Sequence, residues 1–264
     1  MNGSVENARL KFSVVMPVHN EERNLRFSLP SLFNLGPDEV VFVLDNCTDG
    51  SRQLIEHYVK EINYSGNIKF LRVQSIPKDW NYRVAYLFRL GYRAVRNDAI
   101  LTTAADIIMD QDVRKYIEEF GKNNVKIVSF GLKPYPLDRV YFARKLISVI
   151  LPRSTFSGVF LFSRKAWLEN EKEEDAKKVY RAQDTLMFRS IRRRYPARHY
   201  WTKSLHLRSR TNESNYYYTR GQVSYQVTKR SSLFVFLSSI VYLHPKMFVG
   251  YRHAKQMKIK RVSL

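Results

Sequence analysis

Between Leu101 and Asp112 the chain reads LTTAADIIMDQD, placing Asp106, Asp110 and Asp112 directly behind a run of apolar and β-prone residues. A carboxylate is costly to bury without a partner. One that closes a buried strand is therefore expected to face a ligand, and Asp106 stands at that place. Two other segments carry the same signature: Pro17 to Glu22 (PVHNEE) and Asp45 to Gly50 (DNCTDG) each follow an apolar run and each bring carboxylates or amides. If the runs are neighbouring parallel strands, all three segments open at the carboxyl ends, where open α/β sheets bind ligands.

The elements needed to position them are legible. KFSVVMPV, EVVFVLD (Glu39 to Asp45) and AILTTA (Ala99 to Ala104) are nearly continuous in apolar residues, as strands covered on both faces must be. IKFLRV (Ile68 to Val73) and VKIVSFGL (Val125 to Leu132) add two more. Between them, NEERNLRFSLPSLFNLG has helical spacing, acids at its start and a Gly36-Pro37 stop, with Pro30 expected to bend or interrupt it. TDGSRQLIEHYVKEI offers Asp49 or Ser51 as a cap and Leu54, Ile55, Tyr58, Val59 and Ile62 along one side. NYRVAYLFRLGYRAV repeats the pattern. Alternating strands and helices predict an α/β fold, a mostly parallel sheet flanked by helices.

Several chemistries are excluded. MPVHNEE has no glycine, so the tight pyrophosphate turn of a dinucleotide-binding dehydrogenase is missing, and no Gly-rich run ends in Gly-Lys-Ser/Thr. A single cysteine, Cys47, rules out a disulfide framework or a cysteine-built metal site and points to a reducing compartment. The N-terminus lacks the basic start and long apolar run of an export signal. The net charge of +21 predicts an anionic partner, and the charge is uneven, because after Asp184 the only acidic residue is Glu213.

Taken in order, FSVVMPVHNEERNL, VVFVLDNCTDGS, ILTTAADIIM, SGVFLFSRKAW, RAQDTLMFRSIRRRYPARHY and LHLR resemble the motifs of the family-2 inverting glycosyltransferases, across roughly residues 10 to 210. The resemblance implies a GT-A fold, a Rossmann-type sheet that binds a nucleotide diphosphate sugar. It makes Pro17, Val18, Asn20 and Glu21 the loop that holds base and ribose, and Asp45 the acceptor of a base N–H. Where the family carries Asp-x-Asp for ribose and metal, this chain has Ala104-Ala105-Asp106. The retained Asp106 is then the ligand of Mn²⁺ or Mg²⁺, with His206 of LHLR as a second ligand; a neutral imidazole suits Mn²⁺ better. The alternative for His206 is a histidine that simply hydrogen-bonds near the site. Asp110 and Asp112 form a literal Asp-x-Asp but read better as a helix start, Asp110 capping and Asp112 favouring the positive end.

The same resemblance makes Asp184, in Gln183-Asp184, the base that takes the acceptor proton. The family's lysine before the third strand is absent; Arg83 falls in its register for the diphosphate, with Lys78 and Arg208 as further cations. Gly158 is the glycine on the acceptor side, where a missing Cβ lets a sugar or lipid phosphate approach the backbone.

Beyond the catalytic region, SSLFVFLSSIVYL (Ser231 to Leu243) is almost wholly apolar but too short for the ~20 residues of a bilayer span. HPKMFVGYRHAKQMKIKRVSL then mixes Lys and Arg with aromatic and aliphatic anchors, which fits a membrane-surface segment. A core helix followed by a solvated basic tail is the alternative. The expected organisation is a catalytic domain over 1–210 and a basic, hydrophobic helical region over 211–264. The expected activity is transfer from a UDP- or GDP-sugar to a lipid-linked or polyprenyl phosphate acceptor, by an enzyme in the cytoplasm, peripheral on the inner face of the membrane. A soluble acceptor, a lost activity and nucleic-acid binding are the competing readings. Carboxylates at successive strand ends would repel a nucleic-acid backbone and speak against the last.

Overall fold

The computed structural model describes residues 9–74, 80–137, 141, 142, 145, 159–169, 183–207, 213–226, 229–242 and 244–258. Its centre is formed by the strands expected from the apolar runs: β1 (Phe12–Val18), β2 (Glu39–Asp45), β3 (Asn67–Val73) and β4 (Ala99–Thr102). β1 pairs in parallel with β2 and β4, and β2 with β3. Every residue of β2 and β4 is buried, which is why neither shows polar–apolar alternation. β5 (Ile107–Ile108), β6 (Ile127–Tyr135), β7 (Val159–Ser163) and β8 (Ala197–Leu207) complete a sheet of order β3-β2-β1-β4-β7-β6-β8-β5. β7 runs antiparallel to both β4 and β6, while β8 returns parallel to β6.

α1 (Glu22–Phe33), α2 (Ser51–Glu61) and α3 (Trp80–Ala94) are the three crossovers. α1 runs unbroken through Pro30, contrary to expectation. The proline lies in the last turn, its own carbonyl still accepts from the Asn34 N–H at 3.1 Å, and burial of Leu25, Leu29, Leu32 and Phe33 holds the helix on the sheet. One face of the sheet packs on α1, α2 and α4 (Val113–Glu118) through Phe42, Leu25, Leu32, Ile55 and Ile117. The other packs on α3, α5 (Arg164–Leu168) and α6 (Gln183–Arg194) through Val15, Leu87, Phe162, Trp167 and Phe188.

The last three helices, α7 (Glu213–Gln226), α8 (Ser232–Val241) and α9 (Lys246–Gln256), share a separate small core of Tyr217, Val235, Met247 and Tyr251. α7 and α9 cross at two glycines. A Cβ on Gly221 would lie 1.9 Å from the Met247 carbonyl oxygen, and one on Gly250 would lie 2.1 Å from that of Tyr218, so the backbones meet without side chains between them. No helix among the described residues is long and apolar enough to cross a membrane.

Candidate active site

The carboxyl ends of β1, β2 and β4 open side by side, and the loops that leave them are laced together. Asn20 adopts a left-handed conformation (φ 53°), and its Oδ1 accepts from the Thr48 N–H at 2.7 Å, tying the β1–α1 loop to the β2–α2 loop. Asp49 receives the N–H groups of Ser51 (3.0 Å) and Glu22 (3.1 Å), so it serves the starts of α1 and α2 at once. Burial works against its charge, but these bonds and the Ser51 hydroxyl hold its carboxyl below the usual range. Val18 contributes only backbone, since its side chain lies in the core and its carbonyl accepts from Cys47 Sγ at 3.3 Å; Pro17 lies within β1, paired with Val43.

Asp45 closes β2 with no exposed surface. A buried carboxylate needs a partner, and Arg83 of α3 supplies a two-pronged one: Nε donates to Oδ2 at 2.5 Å and Nη2 to Oδ1 at 2.6 Å. The hydrogen bond that Arg83 donates to Asp45 raises the Arg83 pKa further. The resemblance gives Arg83 to the diphosphate. In this conformation its guanidinium is committed to Asp45, and both Asp45 oxygens are engaged. His19, which sequence reasoning passed over, joins them with Nδ1 2.6 Å from the Asp45 carbonyl oxygen. Its place directly after β1, in a loop already singled out, was the available signal.

Asp106 is not at the strand terminus as expected. β4 closes at Thr102, and the Thr103 N–H still bonds the Val15 carbonyl at 3.2 Å before a turn closed by Ile107 N–H to Ala104 O at 3.1 Å. Asp106 stands on that turn, at the entry to β5. The antiparallel register of β5 with β8 sets Ile107 opposite His206, and the Leu207 N–H donates to the Asp106 carbonyl at 2.8 Å. His206 Nε2 thereby lies 2.9 Å from Asp106 Oδ2, with the two side chains 34% and 26% exposed. Glu21 faces the same space: burial raises its pKa, the Asn24 bond at 2.7 Å opposes the rise, and the negative charges of Asp106 and Asp49 add to it.

These donors fit a hard divalent cation in part. Two cis ligand atoms, each ~2.1 Å from an octahedral Mg²⁺, lie about 3 Å apart, close to the 2.9 Å between His206 Nε2 and Asp106 Oδ2. Among the described residues no group of three or more His, Cys, Asp or Glu is arranged to hold a metal. Among the described residues this pair would supply two ligands, and phosphate oxygens and water the remaining positions.

Asp110 behaves as a turn former. Its carboxylate accepts from the Asp112 N–H at 3.2 Å and from the Lys203 N–H of β8 at 2.8 Å, whereas Asp112, at the N-cap of α4, makes no side-chain capping bond. Asp110 thus stands two residues before the N-cap, where it holds the N-cap N–H and also fastens this end of α4 to β8. Asp184 is the second residue of α6, in the first turn. Gly158, Arg208 and Lys78 lie outside the described residues.

The family model described as glycosyl transferase family 2 matches residues 13–200. Among solved structures, the chain superposes on the mannosyltransferase PcManGT from Pyrobaculum calidifontis, solved with GDP-Man and Mn²⁺, with TM-score 0.59 and 16% identity, covering 81% of this chain and 61% of that one. It superposes on S. aureus TarS 1-349 with TM-score 0.56 and 16% identity, covering 82% and 65%. Glucosyl-3-phosphoglycerate synthase from Mycobacterium tuberculosis, solved with Mn²⁺, UDP and phosphoglyceric acid, gives TM-score 0.50 and 16% identity over 79% and 74%. The chain thus spans under two thirds of the first two, and at this identity the likeness speaks for the fold. A search of curated proteins by sequence found no significant match.

Proposed function

The chain belongs to glycosyl transferase family 2, and from that premise we propose that it moves a sugar, with inversion, from a UDP- or GDP-sugar to a lipid-linked or polyprenyl phosphate acceptor. The observation that carries the reading is the pairing of Asp106 with His206 within the electrostatic reach of Glu21, a cluster of oxygen and nitrogen donors on β8 and on the loops that follow β1 and β4. Asp106 and His206 would hold Mn²⁺ or Mg²⁺ there, and a cation so placed offsets charge on a leaving diphosphate.

In the proposed reaction an acceptor oxygen forms a bond to the sugar's anomeric carbon as the bond to the diphosphate breaks on the opposite face. The nucleoside diphosphate leaves with the electron pair. Where the acceptor is a hydroxyl, Asp184 takes its proton; a phosphate oxygen needs none. Pro17, Val18, Asn20 and Glu21 are the proposed cradle of base and ribose, with Asp45 receiving a base N–H. Arg208 is a proposed diphosphate contact and Gly158 the proposed acceptor side. Arg83 would serve the diphosphate only after leaving Asp45. The proposed boundary between the catalytic domain and the C-terminal region lies near residue 210, and an anionic membrane surface is the proposed partner of the latter. The reading places the enzyme in the cytoplasm, on the inner membrane face.

Transfer from a panel of UDP- and GDP-sugars to polyprenyl phosphate, with Mn²⁺ or EDTA, tests the reading. Asp184→Asn is expected to lower turnover onto a hydroxyl acceptor by about 10²- to 10⁴-fold while keeping donor affinity, because a base acts chiefly in the transition state. Normal turnover in that variant would overturn the role of Asp184. Ala104 favours a second reading, a transferase-like protein without turnover: it packs against the core where the family motif carries its first carboxylate. Nucleotide binding without transfer to any acceptor would decide for it.

A further inference from the structure

α8 is apolar on the side where a helix of a globular protein is normally polar. Leu233, Phe234, Phe236, Leu237, Ile240 and Val241 are all exposed, Leu233 to 67% and Ile240 to 54%, while Val235 and Ser239 face the small core. At 100° per residue the six exposed side chains cover an uninterrupted arc of about 160°. Their exposure is fixed by the fold: Val235 is held in the core with Met247 and Tyr251, and Phe236 leans on Phe248 of α9 at 5.2 Å.

The helical unit that bears this face is cationic. The Arg230 guanidinium lies over the Phe234 ring, 4.5 Å from its centroid, at the N-terminal edge of the arc. Lys246, Arg252 and Lys255 of α9 are exposed, and no acidic residue follows Glu213. Two copies joined through this face would bring like charges together. An anionic bilayer would instead receive the cations at its headgroups and the apolar arc beneath them.

We propose that the α7–α9 unit is a bilayer-docking module in which α8 lies flat in the headgroup–acyl boundary of an anionic leaflet, its six-residue apolar arc inserted and the Arg230, Lys246 and Arg252 side chains on lipid phosphates. The proposal deepens the lipid-acceptor reading and rests on it. With ten residues, about 15 Å of helix at 1.5 Å per residue, α8 covers half the ~30 Å hydrocarbon core, so shallow insertion is the geometry its length allows.

Sedimentation of the full chain with phosphatidylglycerol–phosphatidylcholine vesicles, against phosphatidylcholine alone, is the test, and it requires neither donor nor acceptor. Binding at least tenfold tighter to the anionic vesicles, weakening with salt, is expected. Leu237→Ser with Ile240→Ser should weaken it at least tenfold, with affinity for UDP or GDP unchanged as proof of an intact catalytic domain. In a Phe236→Trp variant, the emission gained over wild type should shift to the blue on vesicles and be quenched by lipids brominated near the headgroup more than near the chain end. Absence of binding to anionic vesicles at low salt, binding indifferent to the serine pair, or a dimer in sedimentation equilibrium that the serine pair dissociates would each overturn the proposal. Those outcomes leave the transferase reading standing, whereas vesicle binding by a protein that transfers no sugar fails that reading alone.

Discussion

Arg83→Met removes both hydrogen bonds to Asp45 and leaves a carboxylate with no exposed surface at the end of β2. Breaking a buried ion pair from one side costs about 3 to 5 kcal/mol, most of it the desolvation of the charge left behind. His19 Nδ1, 3.9 Å from Asp45 Oδ2, can take up part of the vacated role, which places the expected loss near the lower bound, about 3 kcal/mol. For a chain of this size that corresponds to roughly 6 to 12 °C in melting temperature. Arg83→Lys restores the charge but not the fork and should recover only part of the loss. Asp45→Asn combined with Arg83→Met removes the orphaned charge and should be more stable than Arg83→Met alone. Urea denaturation of the wild type, Asp45→Asn, Arg83→Met and the double variant forms the cycle. A loss below about 1 kcal/mol for Arg83→Met, the scale of an exposed pair, would refute the view that Arg83 is what permits Asp45 to be buried.

Asp106→Asn should weaken UDP and GDP binding measured by calorimetry with Mn²⁺ and abolish its sensitivity to EDTA, whereas Asp110→Ala should keep both and cost ~0.5 to 2 kcal/mol of stability; unchanged binding in Asp106→Asn sinks the metal role. Burial lowers His199 to about 4 from the ordinary 6.5, with Nδ1 2.7 Å from Ser129 Oγ. The unfolded chain takes up that proton before the folded one does, so stability should be level above about pH 6.5, fall as pH drops toward 4, and lose up to about 3 kcal/mol. His199→Gln should flatten this slope in urea midpoints taken from pH 7.5 to 4.5, and an unaltered slope counts against the assignment. Gly250→Ala drives a Cβ to 2.1 Å from the Tyr218 carbonyl and should cost about 1 to 3 kcal/mol, read as faster amide exchange in α7 and α9 with nucleotide affinity preserved; equal exchange would mean that the helices can part without loss.

The parts of the molecule that sequence determined are those whose physics is local. β1 and β2 read as buried strands because continuous apolar runs leave no solvated face, and they occupy Phe12–Val18 and Glu39–Asp45. Asp49 or Ser51 was legible as a residue serving the start of α2; Asp49 does so from one position before the Gly50 N-cap, since a short acceptor side chain beside a helix start finds N–H groups within a few residues. The ordered motifs also carried the family. Tertiary structure decided what depends on register and on distant partners. Nothing in AADII tells that β4 ends four residues before Asp106, because that is set by where β1 and β7 stop offering partners. The pairing of Asp45 with Arg83 joins residues 38 apart, and that of Asp106 with His206, 100 apart, was within reach only through the resemblance to a family and not through anything local. Which face of α8 is covered is equally silent in SLFVFLSSIV, where seven of the ten positions are apolar and point all round the helix. The choice fell to Val235 because α9, crossing α7 at Gly221 and Gly250, presents Met247 and Tyr251 to it. Apolar composition says that a helix must be covered; only the packing of its neighbours says which side is left for something else.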